Sequence, residues 1–477
     1  MAGLALTAEQ HVDAPPGAVF ALFGAGTGAG WVFDAACDRL VVGAAVTLRA
    51  PIFGAAGEPV EILGRVAALR PPSRIEIVHD QPWRGRLRVL VDSAGIGSRV
   101  RLIADLDGAG LNWLMRRRGF AVSDGELAGT HPVGLLTSKS GPASVFASPT
   151  EHVAALAVEE INADGGIRGT PVRLVVGDDG TDPDLGALEA WRLVKAGCRT
   201  IMATTTSATF TRAAHELRDS GVLMVQTVMN EGGIGGELRV QLGERPEDQL
   251  RAAAGPVMEA AGGRRWFLAG NAYIWPRVVH TAARRVLAEQ AGTVVGESFQ
   301  PLGTRDFTPL IEQILRSGAD VVLSAFVGAD LVQFERQCLA MGVRDRCRTL
   351  APAIDEPTRE RIGDDASTGM FGASGYFEEL PGEANEAFVR RYREMYGRFA
   401  PPVSSISESV YEALHLYAHA ARRADEDTPA AIARELRSIR HDAFPRGDVA
   451  VDGPETFRQS LFVAEARPGG FSVSRAS

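Results

Sequence analysis

The sequence predicts an α/β protein with a smaller, strand-rich α+β domain ahead of it. Three observations carry this expectation. Residues 133–183 read as strand, loop, helix, turn and strand, which is one βαβ unit. From His131 onward, short apolar runs keep alternating with stretches of helical periodicity. Residues 1–119 differ in texture, with several short segments of alternating apolar and polar residues.

In the βαβ unit, Gly134, Leu135 and Leu136 form an apolar run of buried-strand type, and residues 138–148 are a loop of small residues with the turn signal Gly141-Pro142. Ser148, Pro149 and Glu151 then predict a helix start, with Ser148 as N-cap, Pro149 in the first turn and Glu151 completing a capping box. Val153, Leu156, Ala157 and Ile161 share one helix face, Asp164-Gly165-Gly166 stops it, and 172–176 restarts a strand. Parallel strands need such crossovers.

Composition limits the function classes. The chain has 477 residues, 45% apolar and 23% charged, with a net charge of −9. That length predicts two or three folded units, and the acidity argues against a general nucleic-acid surface. No run of eighteen apolar residues marks a membrane span. The first sixteen residues carry no basic segment followed by an apolar core, so a cytoplasmic location is expected, with Cys37, Cys198, Cys338 and Cys347 reduced. Lys139 and Lys195 are the only lysines. No GxSxG, HExxH, Walker A or CxxC pattern occurs, so no enzyme activity, metal or cofactor is expected.

In the first domain, 4–12 reads as a strand and 19–23 as a short helix. Segments 40–48, 60–69, 74–79, 86–91 and 99–106 read as further strands, and 110–118 as a closing helix. Leu87, Val89 and Val91 fall on one face of their strand, which predicts a sheet wet on one side. The glycine-rich run 24–30 follows a helix rather than a strand, so it is a loop and not a dinucleotide fingerprint. The phrases VDAPPGAVFALF, VEILGRV and HDQPWRGRLRVLV make residues 1–119 resemble the START/Bet v 1-like (SRPBCC) helix-grip fold. That resemblance implies an apolar-ligand or protein-interaction module. Residues 120–130 are small and polar and read as the linker.

Residues 131–477 resemble a type I periplasmic binding protein of the branched-chain amino acid and amide receptor family, through the βαβ stretch above. NAYIWPR, FVGAD and SESVYEALHLYAHAARR look most like its amide- and urea-binding branch. The resemblance implies two lobes closing on a small polar ligand: an amide, a urea-like compound or an amino acid. It places Thr206 and Ser207 on the ligand's carbonyl or carboxylate, and Gln226, Thr227 and Val228 at the next strand tip. Tyr273 and Trp275 become the aromatic wall, Asp355 or Glu356 the acceptor for an ammonium or amide N–H, and Tyr376 a lining residue, with Ser404 and Ser405 nearby. Function is then a cytoplasmic sensor signalling to a partner protein or homo-oligomer, or alternatively the substrate-binding component of an ABC transporter.

Two further patterns have plainer readings. Residues 178–182 (DDGTD) lack EF-hand spacing and read as helix capping. His415 and His419 share a helix face with Glu408 and Glu412, which reads as a solvated face rather than a metal site.

Overall fold

The computed structural model describes residues 4–24, 34–50, 59–120, 122–125, 127–451 and 457–476, the side chains of 442 and 443 excepted. Positions 25–30 of the glycine-rich run, and 121 and 126 of the expected linker, lie outside the described residues. The chain divides into two compact units. One is Met1–Gly125 with Lys139–Gly141 and Gly397–Pro401; the other is the remainder.

The first unit holds β1 (Leu4–Val12), α1 (Pro16–Ala21), β2 (Asp34–Cys37), β3 (Ala45–Ala50), β4 (Val60–Arg70), β5 (Arg74–Gln81), β6 (Gly85–Ala94), β7 (Gly97–Leu106) and α2 (Gly108–Arg117). Its antiparallel sheet runs β1-β7-β6-β5-β4-β3-β2. Leu87, Val89 and Val91 are buried on one face of β6 while Arg86 is exposed, as the alternation predicts. Asp107 caps α2 by accepting the Gly110 N–H at 2.7 Å, and Trp113 then packs 5.5 Å from Trp83. Strand β2 had no clear signal in DAAC, and residues 40–44 precede β3 rather than belonging to it.

The second unit opens with β8 (His131–Thr137), α3 (Ser144–Ala147), α4 (Thr150–Ala163), β9 (Val172–Asp178), α5 (Pro183–Lys195), β10 (Thr200–Thr204), α6 (Ser207–Glu216), β11 (Leu223–Gln226) and β12 (Arg239–Gln241). These strands form a parallel sheet in the order β12-β11-β10-β8-β9, the first lobe. Every residue of β10 is buried, as expected for a parallel strand covered by helices on both faces. Helix α4 starts at Thr150 with Pro149 in the cap position, each one residue later than expected, and Ser148 instead ends the short α3. Asp182 caps α5 through the Leu185 N–H at 2.8 Å, so the DDGTD run does serve helix capping.

The chain then crosses to α7 (Pro246–Ala261), β13 (Arg265–Asn271), α8 (Ile274–Glu289), β14 (Thr293–Gln300), α9 (Thr308–Ser317), β15 (Val321–Ala325), α10 (Gly328–Ala340), β16 (Arg348–Leu350), α11 (Glu356–Ile362), α12 (Asp364–Ser367) and β17 (Met370–Ser374). It returns through α13 (Glu383–Tyr396), α14 (Ser405–Arg423) and α15 (Pro429–Leu436). The small antiparallel sheet β18 (Arg440–Phe444), β19 (Gly447–Val451) and β20 (Phe457–Arg458) follows, then β21 (Phe462–Arg467) and β22 (Gly470–Arg475). The second lobe's sheet runs β14-β13-β15-β16-β17-β21-β22, parallel through β17 and antiparallel beyond.

Helix α14 corrects one expectation. Glu408 and Glu412 do not face solvent; they are buried against Arg446. His415 lies 3.2 Å from Glu160 on α4. Most of the helix is core because α4, α15 and β10 pack on it, while His419, Arg422 and Arg423 are exposed.

Candidate functional site

In the sheet of each lobe one strand has successive connections leaving on opposite sides. In the first lobe β8 lies between β9 and β10; in the second β13 lies between β14 and β15. Crevices open at the carboxyl ends of strands at such switch points. A cavity of about 30 Å³ lies where these two sets of carboxyl ends face each other, room for one or two water molecules.

Five of the residues singled out in the sequence meet there: Thr206, Ser207, Val228, Tyr273 and Trp275. Thr206 caps α6, its hydroxyl accepting the Thr209 N–H at 3.3 Å, so the cap holds the helix N-terminus at the cavity. The first amides of a helix have no partner within it and carry partial positive charge, which suits an anionic or carbonyl oxygen. Ser207 donates its hydroxyl to Glu231 at 2.6 Å. Across the cavity, Tyr273 is the N-cap position of α8 and Trp275 lies in its first turn. Burial, and then the charges of Glu231 and Asp330, hold the Tyr273 phenol above its ordinary value, so it is a neutral O–H.

The other five expected residues are placed outside the cavity wall. Gln226 accepts a hydrogen bond from Gln241 at 2.7 Å, and Thr227 shares one with Thr204 at 2.9 Å, both within the first lobe. Asp355 caps α11 through the Thr358 N–H at 3.0 Å, and burial pushes its carboxyl up to about 7. Glu356 accepts the Glu378 N–H at 2.7 Å, and burial likewise raises it. Tyr376 is fully buried and donates to Asn385 at 2.8 Å. Ser404 closes a capping box with Ser407, and Ser405 donates to Glu244 at 2.8 Å.

Thr205, part of the same hydroxyl run as Thr206, and five residues not singled out complete the wall: Phe146, Met229, Val327, Ala353 and Ile406. Met229, Val327 and Ala353 lie two or three residues past the ends of β11, β15 and β16, so strand order would have found them. Their apolar side chains gave no chemical signal of their own. Behind the first-lobe wall, burial pushes Asp179 up to about 7, against the hydrogen bond from the Thr181 N–H at 2.8 Å. All four cysteines are free. Among the described residues no three His, Cys, Asp or Glu are grouped to hold a metal, and no helix is long and apolar enough to cross a membrane.

Two sheets, parallel apart from β21 and β22, face each other across a small, partly open cavity, which is the architecture of hinged two-lobed binding proteins. The periplasmic binding protein family matches residues 130–470, and the chain belongs to that family. BraC3, a Leu/Ile/Val-binding protein of Rhizobium johnstonii, is 28% identical over 196 residues, 40% of this chain and 53% of the relative. This match therefore spans about half the relative's length. The Leu/Ile/Val-binding protein of Escherichia coli is 22% identical over 321 residues, 67% of this chain and 86% of its own. Among solved structures, a leucine-binding protein from Thermotoga maritima has a TM-score of 0.65 at 20% identity, covering 72% of this chain and 97% of that one. A solute-binding protein from R. palustris in complex with 4-hydroxybenzoate has the same TM-score at 21% identity, covering 72% and 96%. These likenesses show the fold.

Two expectations change. Membership of the periplasmic binding protein family, with relatives that are amino acid binding proteins of that family, overturns the cytoplasmic location. The match begins at residue 130, so the helix-grip assignment of the first unit, which is mostly strands, gains no support from it.

Proposed function

We propose that this chain is the substrate-binding component of an ABC transporter, closing on a small solute of the branched-chain amino acid, short amide or carboxylic acid type. The observation that carries this reading is the meeting of Thr206, Ser207, Val228, Tyr273 and Trp275 around one small cavity between facing strand ends. A helix N-terminus supplies oxygen-binding donors and the aromatic pair excludes water, which strengthens each polar contact. The named relatives bind leucine, isoleucine and valine, which favours this role over amide sensing. Titration calorimetry of the full chain with branched-chain amino acids, short amides, urea and small monocarboxylates tests it. Saturable heat with at least one class is expected; a folded sample silent to all of them overturns it.

For the first unit, we propose the helix-grip fold. Its support is the order of one strand, a short helix, an antiparallel meander and a closing helix. A folded unit ahead of the receptor favours a second reading, in which ligand capture is reported to a partner protein or a second copy. Light scattering with and without the solute that binds tests this reading. A ligand-dependent change in mass supports it, and an unchanged monomer sets it aside.

A further inference from the structure

We propose that the cavity selects a small apolar carboxylic acid lacking an ammonium group; this deepens the receptor reading and rests on it. The wall sorts into two kinds of group. Phe146, Val228, Met229, Val327, Ala353 and Ile406 offer only carbon or sulfur surface. Tyr273 and Trp275 offer an O–H and an N–H donor, while the hydroxyls of Thr205, Thr206 and Ser207 already donate to Thr206 O, Thr209 and Glu231, and no Asp or Glu is among the described lining residues.

Two independent features call for an acceptor on the ligand. One is the N-terminus of the ten-residue α6, held at the cavity by the Thr206 cap. The other is Trp275, only 2% exposed, whose indole N–H has no hydrogen-bond partner among the described residues. A buried donor left unmatched costs about 1–3 kcal/mol, so a ligand oxygen that takes this N–H gains that much over one that does not.

An α-amino acid would need, besides these donors, a carboxylate for its ammonium, because a desolvated cation without a counter-charge costs several kcal/mol. Four carboxyl groups come near, and none is free to serve; Asp330, which acts on Tyr273, accepts the Asn271 side-chain N–H at 2.6 Å and the Gly303 N–H at 2.9 Å. Asp355, two residues past Ala353, caps α11, and Glu356 is turned to the Glu378 N–H. Burial drives both toward the neutral acid, which supplies no counter-charge. Glu231 lies beyond the wall, bound to the Ser207 hydroxyl, and burial raises it too. The present cavity of about 30 Å³ requires the lobes to part and close again around a short branched or cyclic acid.

Matched pairs test this: valine against 3-methylbutanoate, and leucine against 4-methylpentanoate, by calorimetry on the full chain. The acids are expected to bind at least about tenfold more tightly than the amino acids. Trp275→Phe keeps the aromatic wall and removes the N–H, and should weaken acid binding about tenfold. Glu231→Gln should leave acid binding unchanged or tighter. Binding confined to the amino acids or to neutral amides, or lost with Glu231→Gln, overturns the inference and leaves the receptor reading standing. Silence toward every class overturns both.

Discussion

Glu244 and Arg446 are both buried, and Oε1 of Glu244 lies 3.5 Å from Nη1 of Arg446 although 202 residues of sequence number separate them. The pair ties together the three chain crossings between the lobes. Glu244 follows β12 at the first crossing and accepts the Gly375 N–H at 2.6 Å, just past β17 at the second. Arg446 lies between β18 and β19 on the third and reaches Glu408 and Glu412 on α14, with Nε 2.8 Å from Glu412 Oε2. Hinge motion therefore has to bend strands of chain whose charges are locked to one another.

Arg446→Met is expected to destabilise the second unit by about 3–5 kcal/mol, because it leaves three carboxyl groups buried without their cation. Adding Glu408→Gln should recover part of the loss, since it removes one uncompensated charge. Urea denaturation followed by far-ultraviolet dichroism measures both. An Arg446→Met protein as stable as the parent would show that the crossings are held by packing instead.

The same cluster predicts how stability varies with pH. Burial raises Glu408 and Glu412, Arg446 opposing the rise, and it pushes Asp179 and Asp355 up to about 7. A carboxyl whose folded value is raised binds its proton more tightly in the folded state. Its contribution is complete below the unfolded value near 4 and is lost as pH rises toward the folded value. Stability should therefore fall between about pH 4 and pH 7. Glu160 acts in reverse: hydrogen bonds from His415, Tyr411 and Arg391 overcome burial and hold it down to about 2, so its contribution is lost only in stronger acid. Asp179→Asn keeps the acceptor for the Thr181 N–H and should flatten the decline measured by urea titration between about pH 5 and about pH 8. An unchanged slope would show that Asp179 does not carry it.

These buried charges mark where sequence reading stopped. The α/β class was legible because 134–136 and 201–204 are buried strands with helical periodicity between them, and local pattern decides such elements. Thr206 and Trp275 were legible as residues lining the cavity because polar and aromatic types at strand ends carry a chemical meaning. Glu408 and Glu412 read as solvated because their partner, Arg446, is more than thirty residues away in sequence, and nothing local announces it. Asp355 and Glu356 read as ligand acceptors because an acidic pair before Pro357 looks the same whether it caps a helix or faces a cavity. Strands β18 to β22 pair through late, non-local contacts and gave only weak alternation.

Thr206 offers a test with two readouts. Thr206→Ala removes the cap of α6 and should cost about 1 kcal/mol of stability. Because the cap also presents the helix N-terminus to the cavity, ligand affinity should fall several-fold, while Thr206→Ser should restore both. Stability loss with full affinity would separate the helix end from the ligand.

Gly328 offers the sharpest test of closure. It begins α10 with φ of +54°, and the Ala329 N–H beside it donates to Pro142 O in the first lobe at 2.8 Å. A Cβ at Gly328 would stand 2.1 Å from that same carbonyl oxygen. The obstacle is backbone, so no rotamer change relieves it, and the lobes would have to stay apart. Gly328→Ala should therefore weaken ligand binding by at least about tenfold. The positive φ adds a strain of about 1 kcal/mol by itself. Gly262→Ala controls for that strain, since it has φ of +63° with nothing within 4 Å of its Cβ. If both variants bind ligand alike in calorimetry, the contact between Pro142 and α10 is not part of the closed state.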